Sequence, residues 1–125
     1  MTQIVRALMA LEAAMLFGDS VQHLGIPLFG LPESHVWAAA FVEGACGVAL
    51  VIAIRYRDAG PPVMLAAHAA AIAGVLLGTH AAVAAAAQGA SVGTAHHQTL
   101  LIALLVTATM VLTDRRGRPR PSATL

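Results

Sequence analysis

The 125-residue chain has no lysine and no asparagine, and one each of cysteine, tryptophan and tyrosine. Only 10% of its residues are charged, where a soluble domain carries roughly a quarter. Each shortage removes a class of protein. A lone Cys46 excludes an internal disulfide and any cysteine-cluster metal site. A formal net charge of +1 excludes broad electrostatic recruitment of nucleic acid. No phosphate-binding glycine loop or HExxH pair occurs. What the chain does contain is apolar: 58% hydrophobic residues and a mean hydropathy of +0.79, high for a chain with 28 alanines. That composition describes a small integral membrane protein.

Four apolar stretches approach the roughly 20 helical residues that a bilayer core requires. They cover residues 4–24, 36–54, 63–85 and 97–112. Alternation of polar and apolar residues, the mark of a membrane barrel, is missing. The expected fold is therefore all-α, a small up-and-down bundle of four transmembrane helices within residues 1–113. Residues 114–125 follow as a disordered basic tail. Ser34 or Glu33 is placed to cap the second helix and Thr94 the fourth. Gly60, Pro61 and Pro62 punctuate the start of the third, where a proline loses no hydrogen bond.

Arginine placement predicts the orientation. Arg6, then Arg55 and Arg57, then Arg115, Arg116, Arg118 and Arg120 fall on one side of a four-span chain, and residues 22–35 and 86–96 have none. The positive-inside rule makes the arginine side cytoplasmic, with both termini inside. Heavy use of Ala, Gly and Arg without Lys or Asn suggests a GC-rich bacterial genome, and hence a multi-pass protein of a bacterial inner membrane. The layout and Glu12 resemble the small multidrug exporters. The aromatic residues that accompany the exporters' carboxylate are absent here, and one-sided arginines oppose their dual topology, so no family is assigned.

Packing between the helices is expected along small residues. Ala66, Ala70, Gly74, Gly78 and Ala82 form a stripe at GxxxG spacing in the third span, and Ala40, Gly44 and Gly47 offer a second small surface.

Titratable groups inside hydrocarbon cost a few kcal/mol each and mark candidate sites. Counted at 1.5 Å per residue from the arginine side, Glu12 and His68 lie at about 10 Å, Glu43 at about 16 Å and Asp19 at about 21 Å. His23 and His80 come out near 27 Å, and His96 and His97 open the fourth helix at the same surface. Glu12, Asp19 and His23 share one helical face. Two site readings follow. In the first, His23 and His80 with His96 or His97, and Asp19 as ligand or orienting group, hold Zn²⁺, Cu²⁺ or Fe²⁺. Haem b between His23 and His80 is its variant. In the second, Glu12, His68, Glu43 and Asp19 form a proton relay, because desolvation favours the neutral acid and a neutral acid can exchange its proton. Met1, Met9, Met15, Met64 and Met110 are scattered and make no thioether cluster.

The absence of a complete catalytic motif favours an accessory or binding role over an independent enzyme. The leading expectation is a small helical subunit of a larger membrane complex, redox or respiratory in type. The alternatives are a metal- or haem-binding membrane protein and a proton-linked oligomeric carrier or channel. The partners expected are the lipid bilayer and other membrane subunits or further copies of the chain.

Overall fold

A computed structural model describes residues 3–28, 36–56, 60–86 and 95–116. They form four helices: α1 (Gln3–His23), α2 (Trp37–Arg55), α3 (Pro61–Ala86) and α4 (Ala95–Arg116). Each packs on its two neighbours in a closed ring, α1 to α2, α2 to α3, α3 to α4 and α4 back to α1. The residues that meet across each seam run in opposite order along the two helices, so the topology is up and down.

Three of the four helices are long and apolar enough to cross a membrane: Trp37–Arg55, Pro61–Ala81 and His96–Asp114. This narrows the expectation of four spans. At 21 residues α1 has the length, but Arg6, Glu12 and Asp19 fall within any 18-residue window of it. Helix α4 also runs past the predicted end at residue 112, so Asp114 and the first arginines of the basic segment are helical. Residues 117–125, the remainder of the predicted tail, lie outside the described residues, as do Glu33, Ser34, His35 and Thr94.

The bundle is apolar on the outside and mixed within. Phe41, Leu77, Ile102 and Leu105 are exposed on α2, α3 and α4, as is Trp37, whose ring packs at 6.5 Å from that of Phe41. Between 28% and 33% of each spanning window lies inside the bundle. A soluble domain could not leave such surface to water, because contiguous apolar patches of this extent mark contact with lipid or protein. The interior is filled by Val5, Met9, Leu16, Leu50, Val75, Leu100 and Leu104. Among them lie Glu12, Asp19, Glu43, His68, His97 and Thr107, all buried.

Local chemistry sets the helix ends near the candidate sites. Helix α1 stops in a Schellman arrangement: Ile26 N–H donates to Val21 O at 3.3 Å and Gly25 N–H to Gln22 O at 3.0 Å. Gly25 supplies the positive φ of 83° that this needs, a conformation costly for residues with a Cβ. The Val36 N–H then donates to His23 O at 3.0 Å and ties the end of α1 to the start of α2. Val36 is the N-cap of α2 and makes no side-chain cap bond. Gly60, at φ 81°, turns the chain into α3, which begins at Pro61 as the sequence predicts.

Glycines mediate the close approaches. A Cβ on Gly44 would lie 3.1 Å from Ser20 Oγ, and one on Gly47 would lie 3.1 Å from the Phe17 ring. At Gly74 it would meet Cys46 Sγ at 2.8 Å. The α2 glycines therefore face α1, and Gly74 faces α2. The wider stripe does not share one face: Ala66 and Ala70 are exposed while Ala67 and Ala71 are buried. The side chain of Ala82 is outside the described set.

Candidate metal centre

Inward-facing positions of α1 repeat as Val5, Met9, Glu12, Leu16 and Asp19. That repeat carries both acids and, one turn on, His23 into the bundle. Helix α2 turns Glu43 inward on the face of Ala40, Gly47 and Leu50, and α4 turns in His97 together with Leu100 and Leu104.

Three helices thus deliver His23, Glu43 and His97 to one place. His23 Nε2 is 3.5 Å and His97 Nε2 is 3.4 Å from Glu43 Oε1. The three donor atoms all lie within 4.8 Å of one another. Both distances exceed the usual 2.7–3.2 Å of an N–H···O hydrogen bond. They match the ligand–ligand edge of about 3.3–3.4 Å that bonds of roughly 2.0–2.1 Å give in a tetrahedral shell. Glu43 is 2% exposed, and its Oε2 has no hydrogen-bond partner among the described residues. Two imidazole nitrogens and a carboxylate are a common ligand set for zinc and for non-haem Fe(II), with further positions left open.

Beside this cluster, His96 Nε2 lies 2.8 Å from Asp19 Oδ1 and 2.9 Å from Asp19 Oδ2. Asp19 is also within electrostatic reach of Glu43 and His97. The His96 and His97 rings meet edge to face at 6.1 Å.

A separate polar group occupies the other half of the bundle. Thr107 Oγ1 donates to Glu12 Oε1 at 2.6 Å, and His68 Nε2 faces Glu12 Oε2 at 3.4 Å. His68 Nδ1–H donates to Met64 O at 2.8 Å, the only role a carbonyl partner permits. Between the two polar groups come Leu16 on α1, Val75 on α3, and Leu100 and Leu104 on α4, none more than 1% exposed. Glu12 and Asp19 are about 10 Å apart along α1. The acids and histidines named for a relay therefore form three local groups with an apolar layer between the inner one and the rest.

The structure differs from the sequence-derived ligand set at two positions. His80 is exposed, because two residues beyond the inward Gly78 is about 200° around the helix. Turned outward, it joins neither His23 nor His97 among the described residues, so the His23–His80 pair named for haem is not assembled. Glu43, assigned to the relay, instead meets the histidines. Counting each helix from a common arginine-side plane had set it about 11 Å below His23. The Gly44–Ser20 and Gly47–Phe17 contacts fix a register that brings it level with residues 19–23. The buried phase that Glu43 shares with Ala40, Gly47 and Leu50 is the sequence signal for its inward direction.

Comparison with protein families, with curated proteins and with solved structures finds no match for this chain.

Proposed function

We propose that this protein is a membrane-embedded binding protein for a divalent transition-metal ion, held by His23 Nε2, Glu43 and His97 Nε2 near one end of the bundle. The observation that supports it is the convergence of two imidazoles on one buried carboxylate at coordination-shell spacing. The donor set suits Zn²⁺ or Fe²⁺, and it lacks the thioether and thiolate sulfur that would favour Cu(I). The ion would polarise or exchange whatever occupied its open positions. The chain's own contribution is to hold three ligands on three different helices, with Glu43 offsetting one of the ion's two charges.

In the same reading α1 crosses the bilayer beside the other three helices, its charges turned inward. Both termini and the arginines are cytoplasmic, so the metal end of the bundle faces outward.

The test is metal analysis of the full chain purified in mild detergent, with Co²⁺ as a spectroscopic probe after chelator treatment. The expected result is one equivalent bound with the intense visible bands of low-coordinate Co²⁺. The bands should be lost in His23→Ala, Glu43→Gln and His97→Ala and kept in His80→Ala. A wild-type chain that binds no Co²⁺ or Zn²⁺ above detergent background ends the proposal.

A further inference from the structure

The metal reading leaves one adjacent polar pair without a task. Asp19 and His96 lie on the same two helices as His23 and His97: Asp19 is one turn before His23, and His96 immediately precedes His97. His96 is far more open to solvent than any of the three ligands, and Asp19 is about as enclosed as His97. The His96 side chain is 47% exposed and that of Asp19 10%, while His23 is at 19%, His97 at 11% and Glu43 at 3%. The pair joins solvent at one end to the buried cluster at the other. It has an imidazole and a carboxylate of its own, the donor types that the inner cluster uses.

We infer that Asp19 and His96 form a capture pair through which a divalent transition ion reaches the His23–Glu43–His97 cluster. This rests on the metal reading of that cluster and adds a route to it. Three physical points support the route. The first is charge. A dication entering a low-dielectric bundle is opposed by desolvation, and Asp19 with Glu43 places two carboxylates along its path, which together balance its charge. The second is freedom to move. Both Asp19 oxygens engage His96 Nε2 at 2.8 and 2.9 Å, so the carboxylate must be released before it can take an ion, and a half-exposed histidine can rotate away into solvent. The third is proximity. His96 and His97 are chain neighbours with rings in contact at 6.1 Å, which allows ligands to be exchanged one at a time, so that the ion is never stripped of all its donors.

A capture pair governs rate, and a ligand governs occupancy. The test therefore measures both on the full chain in detergent, stripped and then mixed rapidly with Co²⁺. Asp19→Asn keeps the shape and a hydrogen-bonding oxygen, and His96→Gln keeps a polar side chain, so neither needs to disturb the fold. Each variant should still bind one equivalent at equilibrium. Loading in each should be slower, by roughly tenfold or more where electrostatic capture dominates. Asp19→Asn should also flatten the dependence of loading rate on ionic strength. Wild-type loading rates in both variants would overturn the route, and so would a fall in stoichiometry, which would make these residues ligands. Failure of the metal reading itself is distinct: the wild-type chain would then take up no Co²⁺, and both ideas would go together.

Discussion

Among individual residues, the interior carboxylates are the sharpest probes, since each has named partners. Glu12 accepts from Thr107 at 2.6 Å and presents its other oxygen to His68 Nε2 at 3.4 Å. His68 commits its Nδ1–H to Met64 O, so in the neutral ring Nε2 is an acceptor. Glu12→Gln keeps an oxygen for Thr107 and supplies an N–H for His68, and should leave stability within about 1 kcal/mol of wild type. Glu12→Ala empties the same space and strands both partners, and should cost about 2–4 kcal/mol. Denaturant titration in micelles compares the two, and equal losses would show that hydrogen bonding at Glu12 contributes little. The sequence predicted that Glu12 and Asp19 share one face with His23, and the structure turns both acids inward beside Val5, Met9 and Leu16. It did not show their partners. A partner depends on the register between helices, which no single helix encodes.

For whole helices, the glycines separate packing from propensity. Gly18 lies within α1 and a Cβ there would meet nothing within 4 Å. Gly18→Ala should therefore stabilise by about 0.5–1 kcal/mol through helix propensity alone. Gly74→Ala gains the same propensity but drives a methyl to 2.8 Å from Cys46 Sγ. Over-packing of that kind costs about 1–3 kcal/mol. Cys46→Ala in the same chain should recover most of the loss, since it removes the sulfur that the methyl meets. A double-mutant cycle in thermal unfolding reads this directly, and additive losses would place the strain elsewhere. The GxxxG spacing of Gly74 and Gly78 was legible in the sequence. Which neighbour each meets was not: Gly74 meets α2 through Cys46 and Val42, while Gly78 lies nearest His97 and Glu43. A stripe of small residues permits close approach without naming the helix that comes close.

At the scale of the whole molecule, membrane crossing and metal binding each predict a bulk property. With α1 as a fourth span, tags fused at the two ends of the chain should both be reached by protease added from the same side of the membrane. Tags reached from opposite sides would leave three spans and take α1 out of the bilayer. Metal should stabilise the bundle, because an ion that binds only the folded state adds about 2.7 kcal/mol at a free concentration one hundred times its Kd. Chelation of the loaded protein should lower its thermal midpoint, and Glu43→Gln should abolish that difference. Native mass after mild extraction addresses the remaining proposal, a subunit of a larger assembly. A mass that is a simple multiple of 12.8 kDa, with detergent subtracted, would count against a heteromeric complex.

The chain's composition alone determined that it is helical and built for lipid. Backbone groups in hydrocarbon have few ways to be satisfied, so long apolar runs leave one structural solution, and the arginine pattern needs only a count of helices to predict a side. Helix phase likewise placed Glu12, Asp19 and His23 on one face of the first helix. Only the tertiary structure decided that Glu43 is the carboxylate between His23 and His97, and that His80 stands outside. The first turns on sliding α2 against α1 by about 11 Å from the counted depths, and the second on which face of α3 turns inward. Such sliding is set by where Phe17 and Ser20 seat against Gly47 and Gly44, contacts made by side chains far apart in sequence.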